Sequence, residues 1–231
     1  MEGSLCDLGR IALDTLFPRF CLRCKKEGSF WCVNCDENYV VFNTKTKCPF
    51  CKKPHMSSVC DDCSAFVYLD GVFSIASYSN PIVREAITTW KYHGDQVLGQ
   101  TITRWIRKAC NHVEMLEGDY EITSISLHTS RFRARGFNQA EHIAKAVAGS
   151  FCKQPIDLLE RIKKTGPRAK IESSQRRVGD LDGVFKVKSV VPDQVVLCDD
   201  VFTSGATLDA AAKVLKEAGA RKVWGFVLAT G

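Results

Sequence analysis

Thirteen residues, Val195 to Thr207, leave this chain few ways to fold. They open with Val195, Val196, Leu197 and Cys198, a short unbroken apolar run. Such a run suits a strand buried on both faces of a parallel sheet. Asp199 and Asp200 follow, so they fall at the strand's C-terminal end, the edge where open α/β sheets bind ligands. Thr203, Ser204, Gly205, Ala206 and Thr207 then supply hydroxyls, small side chains and a glycine. Small residues let backbone N–H groups approach an anion closely. Leu208, Ala211, Ala212 and Leu215 recur at helical spacing, so a helix begins here and points its positive end at the same place. Carboxylates repel phosphate but accept hydrogen bonds from sugar hydroxyls. A ligand with ribose hydroxyls beside a 5′-phosphate satisfies both halves. The stretch is not a Walker A loop, because Gly205 is not followed by Lys and Ser or Thr.

A second constraint comes from cysteine. The chain has 12, and eight form the pairs Cys21/Cys24, Cys32/Cys35, Cys48/Cys51 and Cys60/Cys63. Two Cys-x-x-Cys turns can set four thiolates tetrahedrally around Zn²⁺. Eight cysteines therefore predict two structural zinc ions. The simplest pairing is sequential: Cys21, Cys24, Cys32 and Cys35 on one ion, and Cys48, Cys51, Cys60 and Cys63 on the other. Interleaved pairing is the alternative; thiol–disulfide chemistry and iron–sulfur ligation are two others. His55 reads as a loop residue. Sites closed by four thiolates have no open position for catalysis. Metal binding would supply much of this segment's folding free energy.

The 231 residues suit one to two domains, and the composition is that of a water-soluble globular protein. No apolar run approaches the ~20 residues of a membrane helix. No basic segment leading into a long apolar one opens the chain, so no signal peptide is expected, and the cytoplasm is the expected compartment. The net charge is a modest +6. Basic residues cluster at Arg131, Arg133 and Arg135, and again from Arg161 to Arg177. Such clusters suit the phosphates of a nucleotide or of nucleic acid, although a solvated face would look the same.

Along the chain, Leu5, Leu8, Ile11, Ala12 and Leu16 predict a short helix stopped by Pro18. The cysteine segment follows. Asp70 to Tyr78 reads as a strand, Asn80-Pro81 starts a helix with Ile82, Ala86, Ile87 and Trp90 inward, and a further helix runs from about Val97 to Val113. Ile122 to Leu127 is the next strand, and a helix opening near Asn138 continues to about Ser150. Gly166-Pro167 and Ser173-Ser174 mark a loop within 161–180. After the helix that begins near Ala206, Gly219 stands as its C′ residue, and Val223 to Ala229 is a last strand. Strands alternating with helices predict a parallel sheet with helices on both faces.

Val195–Thr207 resembles the phosphoribosyl pyrophosphate motif of type I phosphoribosyltransferases. Arg135-Gly136-Phe137-Asn138-Gln139-Ala140 resembles the signature of the ComF family, and Lys91-Tyr92-His93-Gly94-Asp95 matches it too. That family joins cysteine knuckles to a phosphoribosyltransferase-like domain and is linked to DNA uptake in natural transformation. The likeness runs through nearly the whole chain, in the same order. It implies an α/β fold: a type I phosphoribosyltransferase-like parallel sheet with flanking helices over 67–231, preceded over 1–66 by a helix and a double zinc-knuckle module. It places Asp199 and Asp200 on the ribose 2′- and 3′-hydroxyls, Thr203 to Thr207 on the 5′-phosphate, and 161–180 as a basic flap at the site's mouth. The chain departs from the family in two places. Ile125-Ser126-Leu127 stands where Pro-x-Pro is usual, and Asp180 replaces an Asn ahead of Gly183-Val184-Phe185.

Three functions follow as expectations. One is an enzyme that displaces pyrophosphate from Mg²⁺–phosphoribosyl pyrophosphate, of amidophosphoribosyltransferase type, with Arg131, Arg133, Lys91 or Arg168 stabilising the leaving group. No general base or nucleobase loop is identifiable for it. The second is a DNA-uptake accessory that binds phosphoribosyl pyrophosphate and handles single-stranded DNA alongside DNA-uptake proteins, with no insertion into a membrane. The third is a scaffold with an empty motif, against which the intact Asp199, Asp200 and Gly205 argue.

Overall fold

The computed structural model describes residues 18–37, 47–55, 58–94, 96–112, 118–127, 132–133, 136–163 and 181–231. The helix expected before Pro18 lies outside them, as does most of the 161–180 flap.

Four parallel strands form the centre: β1 (Gly71–Ser77), β2 (Glu121–Ser124), β5 (Gln194–Phe202) and β6 (Lys222–Thr230). Their order is β1-β6-β5-β2, so the two strands nearest the C-terminus lie in the middle. The apolar run behaves as its composition requires. Val195 and Leu197 enter one core cluster, while Val196 and Cys198 enter the other. One face carries α3 (Pro81–His93), α4 (Gln96–Cys110) and α5 (Gln139–Ser150). The other carries α6 (Ala206–Glu217) and a two-stranded antiparallel ribbon, β3 (Leu159–Arg161) with β4 (Phe185–Val187).

Local rules set the helix ends. Asn80 caps α3 by accepting from the N–H groups of Ile82 and Val83, with Pro81 in the first turn; Gly94 ends it at φ +59°. Gly219, at φ +112°, follows the C-cap of α6 as expected.

Three features differ from expectation: β2, expected over Ile122–Leu127, ends at Ser124, where its pairing with β5 stops. β5 does not stop before the carboxylates: Asp199 pairs with Val227, Val201 with Ala229 and Phe202 with Thr230. Partnership with β6 holds these residues extended, which their own composition does not announce. The ribbon β3–β4 has no sequence signal beyond its length; it closes the two ends of the basic flap against each other.

Two short helices, α1 (Val33–Glu37) and α2 (Asp61–Ser64), belong to the cysteine segment. That segment contributes to both cores. Cys21, Leu22, Trp31 and Cys35 are buried with the α3–α5 face, and Trp31 meets Trp105 of α4 edge-on at 5.0 Å. Phe50 packs into the cluster of the α6 face.

Candidate metal centres and phosphate-sugar site

The eight cysteines form two clusters, Cys21/Cys24/Cys32/Cys35 and Cys48/Cys51/Cys60/Cys63, with the sulfurs of each within 4.8 Å of one another. The pairing is sequential. Four sulfurs bound tetrahedrally at about 2.3 Å from one Zn²⁺ stand about 3.8 Å apart. Cys24 and Cys32 lie at 3.6 Å, and Cys51 and Cys60 at 3.5 Å. All eight are free thiols. Both clusters are compatible with a structural zinc ion.

The module is a repeat. In the first copy the Cys21 N–H bonds the Lys26 carbonyl and the Lys25 N–H bonds the Cys21 carbonyl; in the second, Cys48 does the same with Lys53 and Lys52. Lys25 and Lys52 share a left-handed φ of 61° and 63°. Burial raises the Cys21 and Cys48 thiols, but backbone hydrogen bonds outweigh it and bring each down to about 6. Burial and the neighbouring sulfurs push Cys35 and Cys63 up to about 12. Metal binding displaces those remaining protons. Taking each cysteine pair alone misses the duplication, although Cys-x-x-Cys-Lys-Lys at 21–26 and 48–53 is its signature.

Around the central motif, β5 delivers Asp199 and Asp200 to the sheet's C-terminal edge. Asp199 accepts the Asp200 N–H at 2.8 Å. Burial first, then the Asp200 charge, raises the Asp199 carboxyl to about 7, while Lys91 and Arg161 pull it down. Lys91, expected to face a ligand, pairs with Asp200 at 2.8 Å. Gly205 has φ +80° and caps α6, the left-handed turn that frees backbone N–H groups to point outward. Thr203 is exposed; Ser204 and Thr207 are half-buried; Ala206 is buried. Arg133 is exposed beside Phe132, and Arg131, Arg135 and Arg168 lie outside the described residues.

Two features lie beyond what the sequence predicts. Arg161, at the end of β3, acts on Asp199 from across the sheet edge. A cavity of about 580 Å³ lies beside Arg161, bordered by Phe132, by Lys145 and Lys188, and by the carboxylates Glu141, Asp157 and Glu160. The second knuckle also touches the motif: Phe50 meets Phe202 edge-on at 5.5 Å, and the Lys52 ammonium donates to the Gly231 carbonyl at 2.7 Å. A Cβ on Gly205 would come within 2.5 Å of Phe202 and 2.7 Å of Phe50. Nothing in the order of residues brings position 50 to position 205. Finally, Asp209 in the first turn of α6 accepts the N–H groups of Tyr68 and Leu69 at 2.7 and 3.1 Å, tying the connection between cysteine segment and sheet to the motif helix.

A parallel α/β sheet with helices on both faces, an acidic strand end leading into a glycine-opened helix, and two four-cysteine clusters together define a type I phosphoribosyltransferase-like fold joined to a double zinc-ribbon module. No protein-family model matches the chain. It resembles Competence protein ComFC of Streptococcus pneumoniae, 28% identical over 206 residues that cover 88% of this chain and 89% of that protein. It also resembles Competence protein ComFC of Bacillus subtilis, 27% identical over 180 residues, 74% of this chain and 72% of that one. The likeness to the ComF family is borne out. Among the described residues, no helix is long and apolar enough to cross a membrane.

Proposed function

We propose that this chain is a competence-related protein that binds Mg²⁺–phosphoribosyl pyrophosphate at Asp199–Thr207 and acts in DNA uptake. The observation that carries the reading is the motif's geometry: two adjacent carboxylates towards the end of β5, then a loop closed by left-handed Gly205 at the start of α6. The loop's N–H groups and hydroxyls would receive the 5′-phosphate. Asp199 and Asp200 would accept from the ribose hydroxyls, and Mg²⁺ would screen the pyrophosphate beside them. Lys91 exchanges its Asp200 partner for the pyrophosphate as the ligand enters. The competence role rests on the two ComFC relatives. Exposed Phe132, which borders the 580 Å³ cavity, and exposed Arg133 next to it in the chain suit single-stranded DNA, since stacking plus a cation binds strands without reading sequence.

The test is calorimetric titration with Mg²⁺–phosphoribosyl pyrophosphate. Wild type should bind, and Asp200→Ala should weaken binding about ten- to a hundredfold, the worth of a charge-assisted hydrogen bond. Absence of heat and of thermal stabilisation at millimolar ligand would reject the ligand assignment and leave the competence role standing on its relatives.

A further inference from the structure

A separate cavity of about 510 Å³ lies between the second knuckle and the C-terminal ends of β1 and β6. Its chemistry is lopsided. Lys47 and Lys52 form its cationic wall; among the described residues no carboxylate side chain lines it, and its one thiol, Cys48, is committed to the second four-cysteine cluster. At the end of β1, Ser77 and Ser79 share one hydrogen bond of 2.7 Å, which leaves one of their two hydroxyl protons to donate elsewhere. Thr230 accepts weakly from Ser74 at 3.4 Å and keeps its own proton. The Thr230 carbonyl is taken by the Tyr78 N–H, and the Gly231 carbonyl by Lys52. The wall is therefore rich in donors, and each of these backbone acceptors already has a partner. Pro49, Val72 and Phe73 add apolar lining.

We propose that this cavity is a second binding site, for a small amphipathic oxyanion: an apolar body carrying a carboxylate or a phosphate. A donor-rich wall with paired cations leaves an acceptor with negative charge as its complement, and a group that filled the space without one would strand those donors. The volume is that of ordinary small-molecule sites. The repeat separates this role from zinc binding. Lys52 has a counterpart in Lys25, so a lysine there belongs to the knuckle itself. Lys47 corresponds to Phe20, so the knuckle does not require a cation at that position. The site is independent of phosphoribosyl pyrophosphate, although it opens at the same sheet edge: a Cβ added to Gly231 would lie 3.9 Å from Thr203.

The experiment follows backbone amide signals of the full chain, with zinc content checked, during titration with benzoate and separately with phenyl phosphate. Saturable shifts at Ser77, Ser79 and Gly231 are expected, and Lys47→Gln should weaken binding about five- to tenfold, most of one charge-assisted contact. The tighter of the two probes identifies the head group. Shifts that stay linear to tens of millimolar, or an affinity that Lys47→Gln leaves unchanged in protein holding both metals, would overturn the proposal. Signals from 204–207 report the sugar-phosphate motif separately. If Mg²⁺–phosphoribosyl pyrophosphate leaves them still while benzoate moves Ser77, the proposed ligand fails and this site remains.

Discussion

Asp199 is under two opposed demands. Without ligand it sits half-buried beside Asp200 and holds a proton up to about pH 7 instead of its ordinary 3.8. Folding therefore favours the protonated form. As pH rises from about 4 to 7 the unfolded chain releases this proton first, and the native state loses stability across that window before levelling off. A ribose hydroxyl needs the opposite form, the charged acceptor. Asp199→Asn keeps an oxygen for the Asp200 N–H and removes the titration. It should match wild type in stability near pH 4 and exceed it near pH 8. The gap should be at least about 1 kcal/mol, since keeping a proton one pH unit longer in the folded state is worth about that much. The same change should also weaken Mg²⁺–phosphoribosyl pyrophosphate, whose affinity for wild type should rise from pH 6 to pH 8. Thermal melts at both pH values decide it: a stability gap with no pH dependence would show that Asp199 does not titrate in this window.

At the scale of elements, the meeting of β5, α6 and the second knuckle is the decisive junction. Gly205 combines a left-handed backbone with two aromatic rings pressed on the space where a side chain would grow. Gly205→Ala should cost about 2–4 kcal/mol from strain and crowding together and lower phosphoribosyl pyrophosphate affinity more than tenfold. Phe50→Ala removes one of the rings and leaves the glycine. It should loosen the loop, seen as faster amide exchange at 203–207, with both metals retained; unchanged exchange would make Phe50 mere packing. Most of these elements are legible in the sequence because their signals are local: the apolar run of β5, Asn80-Pro81 at the start of α3, and Gly219 beyond α6. The motif's residue types are local too. The tail of β5, the β3–β4 ribbon and the contact of Phe50 with Gly205 are not, because each depends on a partner distant in the chain. Arg161 is visible as a basic residue, but only the ribbon brings it to Asp199.

Across the whole molecule, the cysteine segment grips the sheet on both sides, Trp31 on the α3–α5 face and Phe50 on the α6 face. Zinc would thus hold together the fold of the larger part as well as its own small loops. The two grips are unequal. The first cluster has Cys21 and Cys35 buried; the second has only Cys48 buried. A chelator should empty the second cluster before the first. Trp31 stands against Trp105 at the first cluster, and the ring that the second presents is Phe50. Among the described residues, the first cluster thus carries a tryptophan pair as an optical label, and the ring packed from the second is phenylalanine. During chelation the first equivalent of zinc should leave with tryptophan emission nearly constant, and the second should change it sharply. Emission that falls in step with zinc release from the outset would mean that the two ions leave together. A single fluorimeter trace would then order the loss of two chemically identical sites.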